Sequence, residues 1–135
     1  TTGRVSGVDV SAEMLRQASR RNRAAVRAGQ VELALSGASD LPFDAAAFDA
    51  VYSTNSAQFW PDLELGMREV FRVLASGGRA VIVVQPMWRG ATETDSRLWQ
   101  EKLGRALELA GLTLVESRLR HARGAPAAAV SATKP

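Results

Sequence analysis

The sequence predicts an α/β domain, a mostly parallel sheet covered by helices and closed by an antiparallel hairpin. Three observations carry this reading. Short β-branched runs alternate with amphipathic segments of helical period, and parallel neighbours require such crossovers. Arg79 to Val84 (RAVIVV), the most apolar run, has the length and composition of a strand buried on both faces. Near the end, two strand-like runs meet across Gly124-Ala125-Pro126, a turn that joins hairpin neighbours.

Arg4 to Val10 (RVSGVDV) reads as the first strand, ending at an acid. Ser11 is the natural N-cap of a helix running from Ala12 to about Ala28, with Met14, Leu15, Ala18, Ala25 and Val26 turned to the sheet and Gly29 as a left-handed cap. Val31 to Ser36 (VELALS) is the next strand, and Gly37 to Ala47 carries turn residues. Phe48 to Thr54 is a further strand. Leu63 to Leu74 places Leu63, Met67, Val70, Phe71 and Leu74 on one helical face, with Gly77-Gly78 as its stop. After the Arg79 to Val84 strand comes a helix from Leu98 to Ala110, whose inward residues are Leu98, Leu103, Ala106, Leu107 and Ala110. Leu112 to Leu119 and Ala127 to Thr133 form the hairpin.

Composition narrows the function classes. The 135 residues are 46% hydrophobic and 23% charged, which suits one globular domain over 1–135. No apolar run reaches the roughly 18 residues of a membrane span, and the first residues lack the order of a secretory signal, so the chain reads as cytoplasmic without membrane partners. With no cysteine and one histidine, His121, a metal centre has few ligands to draw on. Arg16, Arg20, Arg21, Arg23 and Arg27 supply much of the net charge of +3. They spread around a helix without interleaved aromatic residues, so they read as a solvated face rather than a nucleic-acid stripe.

Ligands of such sheets bind beyond the carboxyl ends of the strands. That directs attention to Asp9–Ser11, Gly37–Leu41 and Ser53–Trp60. A carboxylate at the position of Asp9 can accept hydrogen bonds from both vicinal hydroxyls of a ribose, and it can equally be a turn residue. Asn55 is the leading polar candidate at the end of its strand for contact with a cofactor or an acceptor, with strand capping as the alternative. Phe59-Trp60 can line an apolar acceptor pocket or seed the packing of the next helix. His121 falls in the closing hairpin, away from these ends, and reads as surface.

Residues 4 to 84 resemble the class I S-adenosylmethionine-dependent methyltransferases of the small-molecule type that includes the ubiquinone and menaquinone biosynthetic enzymes. The resemblance rests on Gly7-Val8-Asp9-Val10-Ser11 with Met14-Leu15 and Ala18, on Asp40-Leu41-Pro42-Phe43, on Phe48-Asp49-Ala50-Val51, and on Glu69 with Arg72-Val73-Leu74-Ala75-Ser76-Gly77-Gly78-Arg79. Blocks in this order are far more specific than any one of them. The resemblance implies a Rossmann-like methyltransferase sheet and S-adenosyl-L-methionine as cofactor. It implies that Asp9 binds the ribose hydroxyls and that Val10 and Met14 pack against adenine. The family's acid for the adenine amino group corresponds to Gly37, which leaves a backbone amide such as that of Ala38 to meet the base. Leu41-Pro42-Phe43, Asp49 and Gly77-Gly78 are assigned to the fold, Asp49 by satisfying amides at the start of its strand. Met87-Trp88-Arg89 lies where an acceptor lid can form.

The family's first strand and its Gly-x-Gly-x-Gly loop have no counterpart after Thr1-Thr2-Gly3. The expectation is therefore a partial methyltransferase domain with two exposed strand edges, which offer a route to homo-oligomers. By itself it should bind the cofactor weakly and be weak or inactive. Its small-molecule acceptor and its catalytic residues are not specified by the sequence. Two other classes remain in play: a non-catalytic remnant or interaction module, and a nicotinamide-binding domain, which the Leu-Pro-Phe block and the closing hairpin disfavour.

Overall fold

A computed structural model describes residues 2–135. In chain order the elements are β1 (Val5–Asp9), α1 (Ala12–Arg21), α2 (Arg23–Arg27), β2 (Val31–Leu35), β3 (Phe48–Thr54), a single 3-10 turn (Ala57–Phe59), α3 (Leu63–Val73), β4 (Leu74–Val84), α4 (Glu93–Leu109), β5 (Thr113–Arg120) and β6 (Ala127–Thr133). β1 and β2 pair in parallel as one sheet, and the rest form a second sheet in the order β3-β4-β6-β5. β3 and β4 are parallel; β4–β6 and β5–β6 are antiparallel. The hairpin closes the sheet as the sequence predicts, with its second strand on the inside. No helix among the described residues is long and apolar enough to cross a membrane.

Three of the helices, α1, α3 and α4, begin where a side chain takes up a free backbone group of the first turn. Ser11 Oγ accepts from Met14 N at 3.3 Å, and Asp62 Oδ1 accepts from Leu65 N at 2.8 Å. For α4 the cap is Thr92 with Asp95, a reciprocal box that starts the helix at Glu93, five residues before the expected Leu98. Leu98 is accordingly 59% exposed, not inward. The first long helix also departs from expectation, splitting at Asn22 because that side chain donates to Ala18 O at 2.9 Å and competes with the helical ladder.

Gly29 and Gly111 both adopt the left-handed geometry expected of helix stops. Gly77-Gly78 does not stop α3, because Leu74 is already extended and begins β4. Only Gly77 takes a positive φ, +77°. Gly78 is required for proximity instead: a Cβ there would stand 2.8 Å from Ala75 O and 3.1 Å from Asp49 O, both backbone atoms that cannot yield. Asp49 thus contributes through its carbonyl, and its carboxylate caps no amide among the described residues.

The core lies between the second sheet and helices α3 and α4. Met67, Leu74, Ile82, Val84, Leu103, Leu107 and Val130 are fully buried there. At about 1.5–3 kcal/mol for each large apolar side chain removed from water, this layer supplies most of the chain's hydrophobic stabilisation. β6 suits an inner strand because Ala128, Val130 and Ala132 alternate onto the buried face, and their small size lets the helices approach. The β1–β2 unit is packed more thinly. α1 lies on it without burying any residue fully.

Candidate cofactor site

The end of β1 presents Asp9 half-buried, where strand gives way to helix. Its Oδ1 accepts from Ser11 N at 2.8 Å, which aims the carboxylate, while its backbone carbonyl accepts from Ser36 N at 3.1 Å. Oδ2 accepts no hydrogen bond among the described residues and is available for a ligand hydroxyl. The second contact holds the ends of β1 and β2 side by side, so Val10 meets the following loop: its Cγ1 lies 3.8 Å from where a Cβ on Gly37 would stand. Val10 is 78% and Met14 50% exposed. Met14 is therefore not turned fully to the sheet as its helix face suggests, and two apolar side chains are left beside a carboxylate.

Ala38, in the turn after β2, is half-buried, and its N–H donates to nothing among the described residues. The turn is closed by Ser36 Oγ, which donates to Asp40 O at 2.6 Å. Beyond it, Leu41-Pro42-Phe43 is gripped by α3. Glu69 Oε2 accepts from Leu41 N at 2.8 Å, and Arg72 donates to Leu41 O at 3.0 Å and Phe43 O at 2.7 Å. Glu69 and Arg72 also pair with each other at 2.6 and 2.8 Å. The Arg72 guanidinium therefore holds the Glu69 carboxyl below the usual range, with burial opposing and the Leu41 amide assisting; Glu69 in turn raises Arg72. The Phe43 ring meets Phe48 edge-on at 4.9 Å.

Sequence reasoning assigned Leu41-Pro42-Phe43 to the fold, which agrees, but missed the clamp. The i, i+3 spacing of Glu69 and Arg72 was visible. Their targets lie about thirty residues earlier, beyond any local pattern.

Asn55 belongs to the other sheet. It sits in the left-handed region at φ +52°, a conformation asparagine tolerates better than most residues, and ties β3 to β4: its N–H donates to Val83 O and its Oδ1 accepts from Gln85 N, both at 2.8 Å. Its side-chain oxygen is thus committed to capping, leaving only the amide N–H donors for a ligand. Ser53 Oγ, just before it, is buried with no partner among the described residues. Phe59 and Trp60 differ in their surroundings. Phe59 is 76% exposed, whereas Trp60 packs on the core and donates from Nε1 to Ser56 Oγ at 3.0 Å. Met87, Trp88 and Arg89 are exposed after β4, and His121 is exposed between β5 and β6.

A family model described as a methyltransferase domain matches residues 1–82. An uncharacterised methyltransferase of Bacillus subtilis, YdaC, is 27% identical over 129 residues, covering 96% of this chain and 69% of that protein. The ubiquinone/menaquinone biosynthesis C-methyltransferase of Geotalea daltonii is 30% identical over 79 residues, 58% of this chain and 34% of that one. Among solved structures, the N-methyltransferase NodS of Bradyrhizobium japonicum, in complex with S-adenosyl-L-homocysteine, superposes with a TM-score of 0.75 at 19% identity, over 98% of this chain and 67% of NodS. The chain thus spans about a third of the length of the Geotalea enzyme and about two-thirds of YdaC and NodS. With the family model covering more than half of its residues, the chain belongs to the methyltransferase domain family, and its α/β fold is shared with a SAM-dependent methyltransferase of Aquifex aeolicus.

Proposed function

We propose that this chain supplies the adenosine-binding side of a methyltransferase that moves a methyl group from S-adenosyl-L-methionine to a small-molecule acceptor. The observation that carries the reading is Asp9, half-buried at the end of β1 with one carboxylate oxygen aimed by Ser11 and the other unoccupied by protein. In this reading Asp9 accepts from the ribose hydroxyls, Val10 and Met14 flank the adenine, and the turn at Gly37-Ala38 meets its edge through the Ala38 N–H. The residues fit the cofactor: the donor and acceptor types match, and no side chain on Gly37 blocks the space beside Val10. The bound cofactor supplies a sulfonium-activated methyl whose leaving group departs neutral. What the protein contributes is alignment of the acceptor and exclusion of water, rather than covalent chemistry. Asn55, through its amide N–H groups, is assigned to the cofactor, and exposed Phe59, Met87 and Trp88 to the acceptor side.

The open edges of β1 and β3 are assigned to further pairing, by another strand of the same protein or by a second copy of this chain. A self-association constant from sedimentation equilibrium tests the second route. The reaction is placed in the cytoplasm, which cell fractionation checks.

Titration of the full chain with S-adenosylhomocysteine, followed by backbone amide shifts in NMR, tests the site. Shifts at Val10, Met14 and Ala38 that saturate weakly and vanish in Asp9→Ala support the reading; shifts unaffected by Asp9→Ala refute it. Tight, stoichiometric binding in isothermal titration would contradict the expected weakness of this chain alone. A second reading, a non-catalytic module of the same fold, is favoured by Gly37, which offers the base no side chain. It predicts no shift at any of the three residues.

A further inference from the structure

We propose that Glu69 and Arg72 are positioning residues for cofactor recognition, fixing the Gly37-Ala38 turn so that its backbone reads the edge of the base. This rests on the adenosine-site reading above and concerns how selectivity for the base arises there. The turn has two anchors. At one end Ser36 N donates to the backbone carbonyl of Asp9 at 3.1 Å, which ties the turn to the residue whose carboxylate meets the ribose. At the other, Leu41 is held through both of its backbone polar groups, N–H to Glu69 and carbonyl to Arg72, while Arg72 takes the Phe43 carbonyl as well. Three residues separate Leu41 from Gly37, and the Ser36 Oγ bond to Asp40 O closes that span into one small ring. A displacement of Leu41 therefore passes directly to Ala38.

Selectivity follows from the chemistry of a lone N–H. Adenine N1 accepts a hydrogen bond, whereas the 6-oxo base of inosine carries hydrogen on N1, so a fixed N–H donor opposite that atom favours adenine and opposes inosine. The preference requires the donor to be held in place. No side chain at Gly37 can substitute for it, so the burden falls on the clamp. Arg72 is suited to this because its planar fork meets three acceptors at once, Glu69 and the carbonyls of Leu41 and Phe43, which a lysine ammonium cannot reproduce.

The test measures affinities of the full chain for S-adenosylhomocysteine and its 6-oxo analogue by NMR titration, in wild type, Arg72→Lys, Glu69→Gln and Asp9→Ala. Wild type should prefer the adenine ligand by roughly fivefold or more, about what one well-placed hydrogen bond supplies. In Arg72→Lys and Glu69→Gln the preference should collapse toward unity, with altered amide shifts at Gly37 and Ala38 and retained binding of both ligands. Loss of both ligands in Asp9→Ala, with no change of preference in the clamp variants, would overturn this inference while sparing the site. Indifference of both ligands to Asp9→Ala would instead overturn the site. Should Arg72→Lys unfold, the ligand preference of Glu69→Gln decides: an unchanged preference there refutes the positioning role.

Discussion

Substituting Gly66 by Ala sets two effects of opposite sign against each other, and the structure says which one wins. Gly66 lies inside α3 and is buried. Helix propensity alone favours Ala over Gly there by about 1 kcal/mol. A Cβ at this position, however, would stand 2.5 Å from Cε3 and 2.9 Å from Cζ3 of Trp60, well inside van der Waals contact. The indole cannot swing away freely, because its Nε1 donates to Ser56 Oγ at 3.0 Å and its body packs against the core. Moving it forfeits that hydrogen bond, about 1 kcal/mol, and adds an overpacking cost of about 1–3 kcal/mol. Net destabilisation of about 1–3 kcal/mol should remain. Urea unfolding followed by far-ultraviolet circular dichroism should show a lower midpoint at unchanged slope. In a Trp60→Ala background the same Gly66→Ala change should become stabilising, since only the propensity gain survives. A Gly66→Ala single variant more stable than wild type would refute the reasoning.

Other perturbations probe the remaining features. Ser96 is fully buried and donates to Pro126 O at 2.6 Å, so Ser96→Ala should cost about 1–3 kcal/mol by stranding that carbonyl, measurable in the same denaturation assay. The Glu69 carboxyl titrates lower folded than unfolded, so its stabilising contribution is fully present above its unfolded value and lost as the pH falls through the depressed folded value. Thermal scans across that acid range should show a steeper fall for wild type than for Glu69→Gln. Gly37 has no positive φ and a Cβ there would meet Val10 Cγ1 at an ordinary contact distance of 3.8 Å, so Gly37→Asp should fold normally and, by giving the adenine amino group a carboxylate, tighten S-adenosylhomocysteine binding about fivefold or more in the NMR titration. Weaker binding in that variant would count against the orientation proposed for the base.

Several layers of the protein were legible in the chain because they depend on near neighbours. Ser11 as a cap, Gly29 and Gly111 as left-handed stops, and the apolar stripe of α3 follow from residues three or four positions apart. Where local signals failed, a nearby competitor had been overlooked. The Thr92–Asp95 box lengthened α4, and the Asn22 side chain broke the first helix.

By itself, then, the sequence determined the succession of strands and helices, the family resemblance and the position of Asp9 at the end of a strand. The tertiary structure alone decided that Glu69 and Arg72 grip Leu41 and Phe43, that Asn55 spends its carbonyl oxygen on Gln85, and that Met14 lies half-exposed rather than in the core. It also settled that Trp60 packs inward while Phe59 faces solvent. The physical reason is one of range. Capping, periodicity and turn geometry act within a few residues and leave marks in composition, whereas hydrogen bonds and packing between distant segments depend on which surfaces folding brings together, and spacing along the chain does not encode that choice.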